Sequence, residues 1–366
     1  SSSAHATAAA TPAEVVSTWL VFLFVVIASS KLALLAPRVQ LPLITGYLIA
    51  GAVAGPYVLG VVKMDDVPRL GYVTQFALAF IAFSAGSELY LPELRALFKR
   101  ILSITGCIAA VTFIICTSVI YAVGSTSLVP FMAELEPPCR ASVSLIASSI
   151  MAARSPASAI AVVKELRAKG PMVSTLLGVT VAGDVVVLLT FTLATTVAES
   201  ACKGDGFSGA ALGIMLATIT ASILLGLLLG RFLVFLMWFK RIPTRYLILP
   251  LGLGVFVLTN WFTEWTHDNL PYVLNFEPLL MCITAGFVCT NKSAHRHRFI
   301  GVLQQSAPWV FLPFFTLTGA SLDLRVLGTS LAFAAIVAIA RGVSIFIGSS
   351  TGGWLAKQES SHNLYI

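Results

Sequence analysis

The sequence predicts an all-α polytopic membrane protein built on an inverted repeat. Three observations support this prediction: the composition, the alternation of apolar segments with basic loops, and two pairs of similar segments in the two halves. Of the 366 residues, 57% are hydrophobic and 11% are charged, and the mean hydropathy is +0.92. Soluble domains carry about 25% charged residues, so the composition excludes a soluble globular fold.

Eleven apolar segments have the length and hydropathy expected of membrane-crossing helices, which need about 20 residues each. Residues 1–13, rich in Ser, Ala and Thr, are predicted to form a disordered leader, and residues 14–366 one transmembrane domain. The predicted helices are 14–36, 40–61, 70–91, 100–124, 140–164, 171–199, 208–238, 245–266, 275–291, 299–321 and 328–356.

The basic residues indicate the orientation of these helices. Fourteen Lys and Arg residues lie in loops on one side, five on the other, and four inside spans. Because basic loops stay cytoplasmic, the N-terminus is predicted on the extracytoplasmic or lumenal side. The net charge of +7 is thus a topology signal, and no nucleic-acid partner is predicted. Cys139 and Cys202 fall in two loops of the less basic side, where sequence leaves a disulfide open.

An internal repeat relates the second helix to the ninth and the third to the tenth. The segment 41–51, LPLITGYLIAG, resembles 277–287, EPLLMCITAGF, and 83–91 resembles 316–324. Helices two and nine differ by seven crossings, so the copies run in opposite directions, as in many secondary transporters. The first copy continues into a Pro-broken fifth helix and an Asp-bearing sixth. The second copy reaches only the eleventh helix, so two further helices are expected beyond Ile366.

Asp184 is the most informative residue, because it interrupts the apolar run from Val179 to Leu193. An ionisable group at membrane depth is costly and usually serves an ion path or proton relay. The functional interpretation is a carboxyl that binds a proton and a cation alternately. The alternative is a structural carboxylate paired with a neighbouring helix.

Ser155 and Pro156 lie in the middle of the fifth span. Proline lacks an N–H group and its ring clashes with the preceding turn, so the carbonyls near residues 152–153 are expected to lose their partners. With the hydroxyls of Ser155 and Ser158, they would form an oxygen-rich environment suited to Na⁺ or K⁺. A plain proline kink is the alternative.

Two arginines are candidates for stabilising charges in the core. Arg341 interrupts the apolar run 330–347, and it either stabilises the site when Asp184 is empty or holds the broken helix by hydrogen bonds. Snorkelling to the interface is the remaining interpretation. Arg154 precedes the break. It either interacts with the broken helix expected beyond Ile366 or marks a funnel that faces the cytoplasm. No nucleophile–base pair, cofactor site or metal site beyond the transported cation is predicted, so the chain is not expected to be an enzyme.

Taken in order, these motifs resemble the monovalent cation:proton antiporters, in particular the second cation:proton antiporter family with its Kef-type and NapA-like exchangers. The resemblance is carried by Gly46, Gly51 and Gly55-Pro56, the Gly86-Ser-Glu88 turn, Ser155-Pro156, Asp184, and Pro313 with Gly319 and Arg341. It implies a homodimer with elevator-type alternating access, Asp184 as the ion-binding carboxylate, and Arg341 at the family's core Lys or Arg.

One departure from this family concerns the residue before the essential aspartate. The family usually places Asp, Asn or Gln there, and this chain has Gly183. A single carboxylate and permanently charged arginines predict one proton exchanged per Na⁺ or K⁺ ion, hence electroneutral transport and a role in pH homeostasis. Two alternatives remain: a sodium-coupled organic-anion carrier of related fold, and a sensor or scaffold without transport.

Overall fold

The computed structural model describes residues 12–39, 41–154, 156–203, 209–238, 245–269, 274–294 and 296–356. Within these ranges the chain is helical and contains no strand, which confirms the predicted class. A 3₁₀ helix, Ala33–Val39, follows the first α-helix. The α-helices are α1 Pro12–Leu32, α2 Leu43–Ala54, α3 Asp66–Arg69, α4 Gly71–Glu88, α5 Leu91–Gly124, α6 Pro130–Ala133, α7 Pro137–Met151, α8 Pro156–Glu165, α9 Pro171–Lys203, α10 Gly209–Trp238, α11 Arg245–Asn269, α12 Pro278–Lys292, α13 Arg296–Ala320, α14 Leu324–Thr329 and α15 Leu331–Leu355.

Two predicted boundaries are wrong by about two turns or more. The second span, expected over 40–61, contains a helix of only 12 residues, because Pro42 is extended and the chain turns at Gly55-Pro56. The fourth span begins at Leu91 rather than residue 100, because Pro92 occupies the first turn, where its missing N–H costs nothing. The resulting 34-residue helix is about 50 Å long, so its basic end extends beyond the hydrocarbon core.

Five helices of the described ranges are long and apolar enough to cross a bilayer. They are Ala13–Ala36, Arg95–Gly124, Pro171–Thr195, Leu216–Trp238 and Leu331–Leu355. Large apolar side chains remain exposed on them, such as Phe24 on α1, Leu228 on α10 and Ile339 on α15. An apolar outer surface of this extent suits a protein solvated by lipid.

The chain divides into two compact units. Unit 1 comprises Ser1–Leu78 and Gln304–Arg325, and unit 2 comprises Ala79–Leu303 and Val326–Ile366. In unit 1, α2 packs on the C-terminal half of α13, and a Cβ atom added to Gly51 would overlap the carbonyl oxygen of Thr316. Gly319 meets the Leu48 carbonyl in the same way. We call the contact at Gly51 and Gly319 the first crossing.

Unit 2 contains a matching contact between α4 and α12. A Cβ atom added to Gly86 would overlap the carbonyl oxygen of Ile283, and one added to Gly286 would lie against the Phe83 carbonyl. We call the contact at Gly86 and Gly286 the second crossing. The two crossings have the same geometry. In each, the glycine of one helix contacts a backbone carbonyl of the other helix, and that carbonyl belongs to the residue three positions before the other helix's glycine.

The two crossings give the register of the internal repeat. They pair Gly51 with Gly286 and Gly319 with Gly86, so α2 corresponds to α12 and α4 to α13, as the sequence predicted. The expected alignment of Gly51 with Phe287 is one residue out of register. The error arose because neighbouring apolar residues look alike in sequence, whereas a crossing of this kind admits only glycine at the point of contact.

Candidate ion-binding site

The fifth span is broken where the sequence predicted. Helix α7 ends at Met151, and the N–H group of Ala153 closes its last turn on the Ile150 carbonyl. Helix α8 begins at Pro156, which cannot donate a hydrogen bond to the preceding turn. Ser155 lies outside the described residues, and Pro156 is described only as the first backbone position of α8. The break therefore leaves a short non-helical connection in unit 2.

Arg341 reaches this connection from α15. Its Nη2 donates a hydrogen bond of 2.6 Å to the carbonyl oxygen of Ala153, while its Nε is buried without a hydrogen-bond partner among the described residues. One of the carbonyls expected to be freed by Pro156 is thus occupied by a guanidinium. The contact corresponds to the interpretation in which Arg341 holds the broken helix, and its role in transport stays a prediction.

Arg154 lies within the connection itself. Its Nε and Nη1 are buried, and neither has a hydrogen-bond partner in the described part of the chain. The Arg154 guanidinium interacts electrostatically with the carboxylate of Asp184 and with the like charge of Arg341. A buried guanidinium with orphaned donors is costly, so its position calls for an anionic or carbonyl partner.

Asp184 lies half-buried on α9, the helix that packs against α7. Just before it, Val179 packs with the α5 residues Ile101, Ile104 and Ile108. On the other side of α9, Val181 packs with Ile160 of α8. These apolar contacts fix α9 between its neighbours. In the described ranges, Asp184 has no ion pair within 4.0 Å, so its attraction to Arg154 acts over a longer distance.

The structure thus brings Asp184, Arg154 and Arg341 into one charged cluster. Ser158 lies half-buried on α8, two residues after Pro156. Gly183 is open on its side-chain side, because a Cβ atom built there meets nothing within 4 Å. A larger polar residue would therefore fit at position 183, and packing does not explain why this chain has glycine there.

Buried hydroxyl groups on two sides of α7 were missed by the sequence analysis. Four serines on this helix are buried, and each donates a hydrogen bond to a carbonyl in the preceding turn. The four are Ser142, Ser144, Ser148 and Ser149. The Ser148 hydroxyl also pairs with that of Thr117 on α5, at 2.6 Å. Serines clustered within an apolar span were the available signal, since small polar residues mark close helix packing in membranes.

Cys139 and Cys202 form a disulfide, with their Cα atoms 4.9 Å apart. It joins the start of α7 to the end of α9, the helix that carries Asp184. The sequence left this pairing open and placed both cysteines on the same side of the membrane, as the bond requires. The break, Arg154 and Asp184 lie within the 63-residue separation that it closes, whereas Arg341 lies outside it.

The fold and the cluster define a class of protein, an inverted-repeat secondary transporter with buried charges beside a broken helix. More particularly, residues 21–362 match the family model described as sodium/hydrogen exchanger, transmembrane, and the chain belongs to that family. The chain is therefore a multi-pass membrane protein of a family that exchanges cations for protons, and it is a transporter rather than an enzyme. The predicted likeness to monovalent cation:proton antiporters is confirmed.

Solved structures agree on the fold. The chain resembles the sodium proton antiporter MjNhaP1 from Methanocaldococcus jannaschii at pH 8, with a TM-score of 0.72 and 17% identity, over 96% of this chain and 82% of that one. An electron-microscopy structure of the same antiporter gives a TM-score of 0.74 and 18% identity, over 94% and 79%. No curated protein sequence matches the chain.

Proposed function

We propose that the chain exchanges one monovalent cation, Na⁺ or K⁺, for one proton at Asp184, without net movement of charge. Family membership supports the exchange of a cation for a proton. The observation that supports Asp184 as the exchanging group is its half-buried carboxylate on α9, within electrostatic reach of the Arg154 guanidinium. A proton and an alkali cation each bring a single positive charge to that carboxylate.

The stoichiometry follows from the charges of the cluster. Arg154 and Arg341 keep their charge throughout, because a guanidinium does not release its proton under working conditions. Asp184 is then the member of the cluster that binds and releases a proton. The proton-loaded and cation-loaded forms carry the same charge, so a cycle between them is electroneutral. A second proton-releasing group in the cluster would instead produce current.

Arg154 acts in this proposal as an internal competitor. Its guanidinium attracts the Asp184 carboxylate in the unloaded form, and an arriving cation or proton must overcome that attraction. A coulombic attraction over several ångströms in the protein interior changes affinity about ten-fold or more. We expect Arg154→Gln to lower the cation concentration for half-maximal exchange by about ten-fold when protons are scarce. At acid pH this concentration should not change, because the variant raises the affinity of Asp184 for the competing protons by the same factor.

The remaining cation ligands are proposed from the oxygens around the break. Ser155, Ser158 and the carbonyls beside Pro156 provide hard oxygen ligands of the kind that Na⁺ and K⁺ prefer. Arg341 already occupies one lone pair of the Ala153 carbonyl. Its contribution is to fix the backbone rather than to bind the ion.

Alternating access completes the proposal, because Asp184 must be reached from each face in turn. We propose elevator-type motion in a homodimer, as the family resemblance implies, with the N-terminus on the extracytoplasmic or lumenal side. The Cys139–Cys202 disulfide supports this orientation, since disulfides persist in oxidising compartments. Both cysteines were assigned to the same side as the N-terminus.

Exchange is tested with the full-length protein in liposomes containing a pH-sensitive dye, across Li⁺, Na⁺, K⁺ and Rb⁺. We expect cation-dependent proton movement without current in the wild type, and none in Asp184→Asn. Glu277→Gln is the matched control, because Glu277 is another half-buried acid of unit 2. Loss of exchange in Glu277→Gln with exchange retained in Asp184→Asn would move the site to Glu277.

Other outcomes separate the competing functions. Appreciable current with intact exchange would reject the one-to-one stoichiometry. Uptake of an organic anion driven by Na⁺ would favour the carrier interpretation. Absence of any cation-dependent proton movement, in protein that remains monodisperse, would favour a sensor or scaffold.

A further inference from the structure

A groove of about 400 Å³ in unit 2 is lined mainly by residues of α10 and α12. Its apolar lining includes Leu227 and Val234 of α10 with Phe287 and Val288 of α12, and two cations, Arg231 and Lys292, lie at its edge. This groove is separate from the residues assigned to the ion site. Its combination of apolar wall and paired positive charge indicates the chemistry of an occupant.

The two helices pack closely beside the groove. A Cβ atom added to Gly226 would lie 2.7 Å from the Met281 carbonyl oxygen, and one added to Gly230 would lie 2.6 Å from Cβ of Val288. The contacts advance together along both chains, so α10 and α12 run in the same direction. Val234 follows Gly230 by one turn, carries a side chain where the two glycines carry none, and lines the groove.

The charges at the groove are not neutralised by the protein. Arg231 and Lys292 are exposed, and neither forms an ion pair within the described ranges. The lining contains no carboxylate. Asn291 borders the groove but uses its amide elsewhere, since its Nδ2 donates to the carbonyls of Leu89 and Phe287 and its Oδ1 accepts from the Leu91 N–H. Arg231 Nη1 donates to the carbonyl oxygen of Leu227 at 3.5 Å, which is an uncharged acceptor, so both cations keep a net positive charge for an external anion.

We propose that this groove binds an anionic phospholipid, with its phosphate between Arg231 and Lys292 and an acyl chain along the apolar wall. A free phosphate would leave that wall unused, whereas a lipid matches both parts. The groove lies at the ends of two parallel helices on the side with the basic loops. That side is predicted to face the anionic cytoplasmic leaflet.

The test uses native mass spectrometry of the full-length protein, delipidated and then titrated with phosphatidylglycerol or phosphatidylcholine. We expect tighter binding of phosphatidylglycerol in the wild type. Each cation near an anionic lipid changes affinity about five-fold, so the double variant Arg231→Gln with Lys292→Gln should lose about 25-fold. Phosphatidylcholine binding should be unchanged.

Two further variants separate a built site from general surface charge. Lys99→Gln with Arg298→Gln removes two exposed cations of unit 2 outside the groove, and it should leave phosphatidylglycerol binding intact. Val234→Trp fills the apolar wall without changing charge, and it should weaken binding of the lipid while leaving the cations in place. Equal loss in both double variants would overturn the proposal.

Two other results would also overturn it. One is equal affinity of the wild type for phosphatidylglycerol and phosphatidylcholine. The other is displacement of the bound lipid by excess inorganic phosphate, which would make the ligand a free anion. None of these measurements depends on transport, so the lipid site and the exchange mechanism can fail separately.

Discussion

The first and second crossings use the same backbone contact and secure it differently. One turn beyond the glycines, Gly55 of the first crossing lies beside the Ala320 carbonyl, and a Cβ atom there would come within 2.9 Å of that oxygen. At the corresponding place in the second crossing, the hydroxyl of Thr290 donates to the Ser87 carbonyl at 3.1 Å. The two copies of the repeat thus share the helix packing, but one has a close backbone contact at this place and the other has a side-chain hydrogen bond.

The next residue extends this difference. Pro56 follows Gly55 and ends α2, whereas Asn291 follows Thr290 and bonds to the backbone of Leu89 and Leu91. The second crossing therefore joins α12 to the connection between α4 and α5, in the unit that carries Asp184. The comparison teaches that an inverted repeat can keep a packing contact constant while only one copy receives polar ties.

The largest effect is expected from filling either crossing. Gly51→Ala and Gly86→Ala each place a methyl group onto a backbone carbonyl that cannot rotate away. Overpacking of this kind costs about 3 kcal/mol, and the thermal midpoint in detergent should fall several degrees, measured by size-exclusion chromatography after heating. Gly106→Ala on α5 is the control, because a Cβ atom there meets nothing within 4 Å. If the Gly51→Ala and Gly86→Ala proteins had the same thermal midpoint as Gly106→Ala, the two crossings would not require glycine.

Asn291→Ala should break the polar tie of the second crossing. It removes three hydrogen bonds and leaves the Leu89 carbonyl and the Leu91 N–H without this partner. We expect a loss of about 2–3 kcal/mol in the free energy of unfolding, seen in the same heating assay. Asn269→Ala removes one exposed bond to the Trp265 carbonyl and should change little. Similar losses in the two variants would show that the tie adds no stability.

Thr290→Val sharpens the comparison at constant shape. The buried hydroxyl bond to the Ser87 carbonyl is lost while the side-chain volume is kept, so we expect a cost of about 1 kcal/mol. The matched control is Thr220→Val, whose exposed hydroxyl bonds only to its own helix. If Thr290→Val left the stability unchanged, the Thr290 hydrogen bond would add nothing to the second crossing, which would then be held by packing alone, as the first crossing is.

The smallest expected effect concerns an aromatic contact in each unit. In unit 2, Arg296 lies 3.5 Å from the centre of the Tyr90 ring, and in unit 1, Arg325 lies 5.4 Å from that of Tyr57. Cation–π attraction weakens with distance and exposure. We expect Arg296→Gln to cost about 1 kcal/mol and Arg325→Gln less than about 0.5 kcal/mol. The reverse order, measured by thermal midpoint, would contradict the assignment of the stronger contact to unit 2.

Much of the fold could be predicted because its causes are local. Pro156, which has no N–H group, provided a local signal for the break between α7 and α8. The signal is not general, because three other prolines lie inside continuous helices: Pro250, Pro308 and Pro313. The apolar lengths and basic loops indicate membrane spans without knowledge of their neighbours. Asp184 was recognisable because a carboxylate is conspicuous in an apolar run. The register of the repeat was missed by one residue because hydropathy barely changes under such a shift.

The site was only partly predictable because its contacts join distant segments. The Arg341 bond to Ala153 spans 188 residues, and the Thr117–Ser148 pair joins two helices across 31 residues. The groove beside Arg231 depends on how closely Gly226 and Gly230 let α10 approach α12. The hydropathy pattern of the sequence does not indicate such interhelical distances.

By itself the sequence determined the membrane class, the repeated helix pairs and the charged residues at membrane depth, because these follow from composition, from recurring segments or from the charge of one residue. It indicated the break in the fifth span through Pro156, and the tertiary structure decided that this proline, unlike Pro308, interrupts its helix. Only the tertiary structure decided which glycines meet, that Arg341 bonds to the broken segment, and that Cys139 pairs with Cys202. The physical reason is that these contacts depend on the separation of backbones folded from distant parts of the chain, and a fit at close range is a property of both surfaces together.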